Sequence, residues 1–266
     1  MDDQKLTDIV NQSGFPLQVA VASLVERTQG QHGWRELFRE HSWRSDREDG
    51  SGFIDLVLAN RHGTSVMVVE CKRVLETSWI FLDPDRPITP RRHAKAWITR
   101  YTSNTFKHAG WADIAIDPVS KEAEFCVIPG QDARSRPMLE RTAAELISAT
   151  EALAIEEMEY QSQLREALRM YFSVIVTTAT LRVCRFEPDR VSLADGKVVD
   201  ADFVEVPFIR FRKQLTTGPS SRPLNVQEGP PAYARNKEHT VFVVNVEALP
   251  DFLADFDVDN ESIRRF

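Results

Sequence analysis

Two stretches of the sequence carry the pattern of buried β-strands and are joined by a short polar turn. They are FIDLVL, Phe53 to Leu58, and VMVVECK, Val66 to Lys72, with the turn residues NRHGTS between them. Runs rich in β-branched and aromatic residues, bounded by Gly, Asn and Ser, are typical of strands. Because the connection is so short, the two strands are predicted to form an antiparallel hairpin.

A helix is predicted before this hairpin. Pro16 follows Gly14-Phe15 at the first helical position, where its missing N–H costs nothing, and the helix continues through LQVAVASLVERT. Apolar residues occupy nearly all sides of this helix. Glu26 therefore falls on a face that is otherwise buried, which is unusual for a carboxylate. The alternative is that Glu26, near the helix end, reaches solvent.

The whole pattern predicts an α/β protein whose central sheet is mixed, because it includes an antiparallel hairpin. Residues 1–186 are expected to form the core, and 187–266 a β-rich C-terminal extension of the same domain or a small appended subdomain. The remaining predicted elements are a strand at Trp34–Trp43, a Pro-rich loop around FLDPDRPITP, a helix from Arg92 to His108, strands at ADIAI and EFCVIP, a helix from near Pro137 to about Met170, two strands in SVIVTTATLRVCRF, a loop from Thr216 to Tyr233, and a strand leading into a helix in HTVFVVNVEALPDFL.

The composition is that of an ordinary globular protein, with 42% hydrophobic and 27% charged residues among 266. The N-terminus MDDQKLTDIV lacks the features of a secretion signal, and no apolar run approaches the length of a membrane helix. A cytoplasmic protein without a membrane partner is therefore expected. Cys71, Cys126 and Cys184 are widely spaced in apolar runs, which favours reduced thiols over disulfides or a metal site.

An acid and a base end the second hairpin strand, where burying a charge is costly. Side chains alternate along a strand, so Glu70 and Lys72 share one face while Cys71 points to the other. If the hairpin is symmetric about His62-Gly63, Asp55 lies directly opposite Glu70. Two facing carboxylates repel each other, and a divalent cation between them would remove the repulsion. The alternative is an edge hairpin in which Asp55 and Glu70 are solvated and Lys72 pairs with one of them.

The ligand types indicate which cation this would be. Carboxylate oxygens without paired His or Cys side chains favour Mg²⁺ or Mn²⁺ over zinc. Mg²⁺ keeps several waters and is commonly completed by phosphate oxygens of a substrate. Lys72 is placed to orient or deprotonate a water that attacks a phosphodiester, and its charge would stabilise the transition state.

Together, Asp55, the Glu70-Cys71-Lys72 triplet after an apolar strand, and Glu26 on a preceding helix resemble the PD-(D/E)XK nuclease superfamily. The resemblance covers mainly Phe15 to Arg73, and Ile54 replaces the proline that precedes the aspartate in the family motif. It implies a restriction-endonuclease-like core of α-β-β-β-α-β order, with helices on both sides of the sheet. It also implies that Asp55 and Glu70 are metal ligands, Lys72 is the catalytic lysine, Glu26 supports the metal site, and the backbone carbonyl of Cys71 is a further ligand.

The function implied by this resemblance is a Mg²⁺-dependent endonuclease that hydrolyses DNA phosphodiester bonds, in restriction, phage defence or mobile-element biology. A homodimer is expected, because cutting both strands of a duplex with one site per chain is often achieved by a dimer. The alternatives are a non-catalytic nucleic-acid-binding or scaffold subunit with a nuclease-like fold, and a hydrolase of another phosphoester.

The net charge of −7 does not exclude DNA, because phosphate binding depends on a local basic surface. One candidate surface is the basic cluster Arg91, Arg92, His93 and Lys95, and a second contains Arg210, Arg212 and Lys213. A solvated face with no ligand is the alternative for both.

Overall fold

A ten-stranded mixed sheet forms the centre of the fold, with helices packed on both of its faces. The computed structural model describes residues 2–45, 50–75, 77–84, 91–131, 136–215 and 234–266. The helices are α1 (Asp3–Gln12), α2 (Phe15–His32), α3 (Met138–Gln161), α4 (Leu249–Asp255) and α5 (Asn260–Ile263). The strands are β1 (Arg35–Arg44), β2 (Ser51–Ala59), β3 (Ser65–Lys72), β4 (Ser78–Pro84), β5 (Arg91–Thr102), β6 (Thr105–Ser120), β7 (Glu122–Ala123), β8 (Cys126–Val127), β9 (Glu166–Thr177), β10 (Thr180–Phe186), β11 (Asp202–Glu205), β12 (Phe208–Gln214), β13 (Glu238–Asn245) and β14 (Asp257–Val258).

The main sheet has the strand order β1-β2-β3-β9-β13-β12-β7, and the predicted mixed sheet flanked by helices is confirmed. The first three strands form an antiparallel meander, whereas β9 lies parallel to β3 and β13 lies parallel to β9. Strand β5 also pairs with β9, and β6 pairs with β5. A second sheet has the order β11-β10-β4-β8.

Two apolar cores lie on opposite faces of the main sheet. One core contains the buried face of α2, the helix α4 and one set of alternate strand residues, such as Met67 and Val69. The other core contains α3, residues of the second sheet, and the intervening strand residues, such as Val66 and Val68. The alternation of β3 between the two cores follows from the two-residue period of a strand. It also assigns Glu70 and Lys72 to the α3 side of the sheet.

The prediction of a helix from Arg92 to His108 is wrong, because β5 and β6 form an antiparallel hairpin there. Its turn is Ser103-Asn104, and both residues have positive φ, as a two-residue hairpin turn of type I′ requires. Ala94, Ala96 and Ile98 are buried with the alternation of a strand. Alanine, lysine and arginine favour helices locally, but pairing with β9 on the sheet overrides that preference.

The other predicted boundaries vary in accuracy. The strands predicted near β1, β2, β3, β9, β10 and β13 are present, as are ADIAI within β6 and the helix after β13. The helix predicted to extend to Met170 ends at Gln161, and the residues from Glu166 onward form β9. Part of the predicted Pro-rich loop is strand β4, and its residues 85–90 lie outside the described residues. The predicted loop Thr216 to Tyr233 also lies outside them.

The C-terminal part of the chain contributes directly to the main sheet. Strands β12 and β13 form an antiparallel pair, and β13 is the neighbour of β9. All three cysteines are free thiols. Within the described ranges, no helix is both long enough and apolar enough to span a membrane.

Candidate functional site

The β2–β3 hairpin has the register that the sequence predicts. Leu56 pairs with Val69 and Ala59 with Val66, so the hairpin is centred on His62-Gly63. Extending the ladder by one pair brings Asp55 opposite Glu70. The two carboxylates therefore lie on adjacent strands at the end of the hairpin that is distant from its turn.

Asp55 is partly buried and holds the strand end in place. Its Oδ2 accepts a hydrogen bond of 2.6 Å from the backbone N–H of Cys71. The pKa of Asp55 is raised to about 6, mainly by burial and to a smaller extent by the negative charge of Glu70. The Cys71 N–H and the charge of Lys72 act in the opposite direction and are too weak to cancel the effect of burial. The positive charge near Asp55 is thus too small to offset the cost of burying its ionised carboxylate.

Lys72 and Glu70 form an ion pair on the α3 side of the sheet. The Nζ of Lys72 lies 2.6 Å from Oε1 of Glu70, and both side chains are partly exposed. Residues i and i+2 on a strand share a face, which brings the two side chains together. Solvent can therefore reach the lysine and the glutamate from the same direction.

The structure adds two residues that sequence reasoning missed, Gln18 and Glu40. Arg39 of β1 pairs with Leu56 of β2, and His41 pairs with Ile54. Glu40, which lies between Arg39 and His41, is therefore opposite Asp55. The charge of Glu40 is one of the smaller influences that raise the pKa of Asp55. Glu40, Asp55 and Glu70 therefore occupy one row across three adjacent strands, called here the acidic row, in which Glu40 contacts α2 through Gln18 and Glu70 lies on the α3 side.

Gln18 connects helix α2 to this row. Its Nε2 donates to Oε1 of Glu40 at 2.5 Å and to the backbone carbonyl of Asp55 at 3.0 Å. Gln18 is buried beside Leu17 and Val21, and a polar residue on the buried stripe of a helix is the sequence signal that could have identified it. Glu40 itself has a φ of 51°, a left-handed conformation that is uncommon for a residue other than glycine.

The prediction that Glu26 lies on a buried face of α2 is wrong. The helix buries Leu17, Gln18, Val21, Ala22 and Val25, whereas Glu26 is exposed. Helix α2 ends at His32, and the next residue, Gly33, has the φ of 74° that is typical of a residue terminating a helix. Glu26 acts on Arg39, whose pKa is raised mainly by its hydrogen bond to Glu36 and to a smaller extent by Glu26.

The three members of the predicted basic cluster whose side chains the structure describes do not form one surface. Arg92 and His93 are exposed, and Arg92 pairs with Asp117 at 2.5 Å. The side chain of Arg91 lies outside what the structure describes. Lys95 is buried, and its Nζ donates to the backbone carbonyls of Arg235 and Asn236 at 3.2 and 3.0 Å. Lys95 is therefore unable to contact a phosphate, since it faces the protein interior.

The second basic cluster is also mostly internal. Arg210 is completely buried, donates to Ser120 and to the carbonyl of Pro118, and lies over the ring of Phe242. Burial lowers the pKa of Arg210 to about 10. Arg212 pairs with Asp113 and Glu238, and Lys213 pairs with Glu140. These residues join strands and helices to one another rather than forming an open basic face.

Lys95 is expected to be a stability residue. Lys95→Met should lower the free energy of unfolding by about 3 kcal/mol, because the buried carbonyls of Arg235 and Asn236 and the carboxylate of Asp113 lose the donor that Lys95 supplies. Lys107→Met, on the exposed part of the same hairpin, should change stability by less than about 0.5 kcal/mol. Urea denaturation followed by fluorescence measures both values. Unchanged stability of Lys95→Met together with weakened DNA binding would reverse this assignment.

The site offers two facing carboxylates rather than a complete set of metal ligands. Among the described residues, no group of three or more His, Cys, Asp and Glu side chains is arranged to hold a metal ion. Mg²⁺ needs only one or two carboxylates, because waters and phosphate oxygens complete its shell. The N–H of Cys71 points towards Asp55, and the N–H and C=O of one strand residue face the same neighbouring strand. Asp55, Glu70 and the Cys71 carbonyl therefore suit a hard cation that is shared with a phosphate.

Comparison with protein-family models, with curated proteins and with solved structures gave no match to this chain.

Proposed function

We propose that this chain is a Mg²⁺-dependent deoxyribonuclease with a restriction-endonuclease-like core, Mn²⁺ being able to replace Mg²⁺. The observation that carries the proposal is the facing pair Asp55 and Glu70, with Lys72 next to Glu70 on the same strand. Such a pair is unfavourable in an ordinary sheet and becomes favourable when a cation and a phosphate share the site.

The order of elements supports the same proposal. Helix α2, the meander β1–β2–β3, helix α3 and strand β9 follow the order α-β-β-β-α-β, when β4 to β8 are treated as an insertion. Strand β9 lies parallel to β3, and α3 is the crossover between them. The acidic row lies on the meander, and Lys72 is the last residue of β3.

Each site residue has a defined task in this proposal. Asp55, Glu70 and the Cys71 carbonyl would hold the cation, which when bound lowers the pKa of a coordinated water and polarises the scissile phosphate. Lys72 would orient the attacking water and donate to the phosphate oxygens, where negative charge builds up in the transition state. To do so, its ammonium must shift from Glu70 towards the substrate. Both side chains are exposed enough for this movement.

A cleavage assay tests the proposal. Purified protein is incubated with supercoiled and linear DNA in Mg²⁺, in Mn²⁺ and in chelator, and the products are separated on gels. Cleavage in either metal and none in chelator is the expected result. The absence of cleavage from a folded protein in every condition would contradict the catalytic proposal.

Glu40, and not Glu26, is expected to support the metal site. Glu40→Gln should weaken the apparent affinity for Mg²⁺ in the cleavage assay by about tenfold, because it removes negative charge beside Asp55 and alters the hydrogen bond to Gln18. Glu26→Gln removes the same charge from the exposed face of α2 and is the matched control, with no expected change. Equal effects of the two substitutions would contradict this assignment.

A non-catalytic role in binding nucleic acid or a partner protein is the second candidate. The observation that favours it is the 2.6 Å ion pair between Lys72 and Glu70, which already neutralises one carboxylate without a metal. This role predicts binding that needs no divalent metal and is unaffected by Asp55→Asn. A salt titration identifies nucleic acid as the ligand, because affinity that depends on phosphate contacts falls steeply as salt rises.

A further inference from the structure

A cavity of about 650 Å³ lies between the end of β1 and helix α3. Trp43 and Ile155 give it apolar walls, and both side chains also pack against the core on the α3 side of the sheet. The polar residues that line it are Ser42, Arg44, Ser45, Glu151 and Glu156. Ligand sites are concave, combine apolar walls with a few polar groups, and have volumes in this range. This cavity, called here the Trp43 cavity, therefore has the size and lining of a ligand site.

Two glycines of the neighbouring chain hold the ring of Trp43 in place. A Cβ atom at Gly52 would lie 3.2 Å from Nε1 of the indole, and a Cβ atom at Gly50 would lie 3.4 Å from its Cη2. The length of the indole therefore runs along two residues that have no side chain. A fixed aromatic ring beside a cavity is a surface on which a flat ligand stacks.

The charges of the cavity favour a neutral ligand. Glu151 and Glu156 repel an anion, and Arg44 repels a cation. Oε2 of Glu151 accepts a hydrogen bond of 3.0 Å from the indole N–H of Trp111. Oε2 of Glu156 lies 3.1 Å from Nε2 of His41. Because a carboxylate accepts several hydrogen bonds, both acids can still accept from a ligand. The cavity therefore suits a flat, uncharged ring that carries both donors and acceptors.

The cavity lies beside the acidic row, on the side of the sheet that carries Lys72. Ser42 is two residues beyond Glu40 on β1, and Lys72 is two residues beyond Glu70 on β3. Strands β1 and β3 run in the same direction, because each is antiparallel to β2. With about 4.8 Å between neighbouring strands, Ser42 is roughly 10 Å from Lys72 across the sheet. A single nucleotide covers that span when its phosphate lies at Lys72 and its base lies in the cavity.

We infer that the Trp43 cavity takes an unpaired guanine base of the nucleic-acid strand whose phosphate lies at Lys72. The inference rests on the proposed function, because that function supplies the nucleic acid. Trp43 stacks on the base, as aromatic side chains do in pockets for extruded or single-stranded bases. Guanine offers two neighbouring N–H donors to a carboxylate, and its O6 accepts from an arginine. Thymine has no amino group, so it leaves the carboxylates without that pair of donors.

Saturation-transfer NMR with 2′-deoxynucleosides tests the cavity separately from the metal site. The ligands have no phosphate and the buffer contains chelator, so the acidic row takes no part in the measurement. Deoxyguanosine should bind, and thymidine should bind at least about tenfold more weakly. Ala152→Leu puts a larger, helix-favouring side chain into the cavity and should weaken the binding of deoxyguanosine at least about tenfold.

A second substitution tests the recognition of the amino group. Glu156→Ala removes an exposed acceptor from the cavity and should reduce the preference for deoxyguanosine over thymidine about fivefold. Glu159→Ala, at another exposed carboxylate of α3 that is not part of the cavity lining, is the matched control and should bind like the unmodified protein. Thermal unfolding checks that each variant is folded.

A short oligonucleotide distinguishes a base within a strand from a free nucleoside. Heptathymidylate with one central guanine should bind at least about tenfold more tightly than deoxyguanosine. Its affinity should fall as salt rises, because its phosphates also contact the protein. Equal affinity for the two ligands would assign the cavity to a free nucleoside and overturn the strand as the source of the base.

The result is separable from that of the cleavage assay. Guanine binding without cleavage would contradict catalysis and uphold the cavity, which then serves the binding role. Three results would overturn the inference even in a protein that cleaves DNA. They are no nucleoside binding, equal affinity for deoxyguanosine and thymidine, and guanine binding that Ala152→Leu leaves unchanged.

Discussion

Replacing Lys72 with alanine is expected to lower metal-dependent DNA cleavage by about a thousandfold or more, the range typical of lost proton-transfer or charge-stabilising groups. The fold should be retained, because the lysine side chain is one-third exposed and its partner Glu70 also reaches solvent. The loss should appear in the cleavage step rather than in DNA affinity, since Lys72 acts on charge that develops in the transition state. Single-turnover cleavage and a binding assay in Ca²⁺ separate the two.

Lys197→Ala is the matched control for this substitution. Lys197 forms a 2.8 Å ion pair with Asp195, so the control also breaks a lysine–carboxylate pair, at a position between β10 and β11. Cleavage by this variant should equal that of the unmodified protein. Full activity of Lys72→Ala would contradict the catalytic role of the lysine, and a loss common to both variants would indicate a general charge effect.

Asp55→Asn is expected to abolish cleavage and, at neutral pH, to stabilise the protein in the absence of metal. The reason is that the folded state raises the pKa of Asp55 to about 6, mainly through burial. Ionised Asp55 is therefore a cost to the folded protein. Asparagine keeps an oxygen that can accept the N–H of Cys71 and carries no charge.

The direction of the pH dependence follows from this shift. Unfolded Asp55 ionises near its ordinary pKa of 3.8, whereas the folded group retains its proton up to about pH 6. Stability contributed by this group is therefore highest below pH 4, falls as pH rises from 4 to 6, and is constant above that. Relative to the unmodified protein, Asp55→Asn should gain about 2 kcal/mol of unfolding free energy between pH 4 and pH 7.

Mg²⁺ should reverse the order of stability. A cation that binds ionised Asp55 stabilises the folded state of the unmodified protein, and this effect should strengthen as pH rises through 6 because protons no longer compete. Asp55→Asn should show little response to Mg²⁺. Thermal unfolding of both proteins at pH 5 and pH 8, with and without Mg²⁺, measures these differences in stability. Equal stabilisation of both proteins by Mg²⁺ would exclude Asp55 as a ligand.

The sequence determined the hairpin and its register. Apolar alternation predicts β2 and β3, and the short turn determines which residues face each other, so the sequence alone predicts that Asp55, Glu70 and Lys72 lie close together. Both features depend on residues close together in the chain. The same reasoning was less successful for Arg92 to His108, where alanine and lysine favour a helix and only pairing with β9 produces a strand.

The tertiary structure decided which distant residues join this hairpin. The pairing of β1 with β2 brings Glu40 into the acidic row, and the face that α2 buries brings in Gln18 rather than Glu26. Likewise, the sequence shows that Lys95 and Arg210 are basic, and only the packing of β5, β12 and β13 shows that they are buried. Local patterns specify strands and turns because those depend on near neighbours, whereas side chains from separate elements meet only when the core packs.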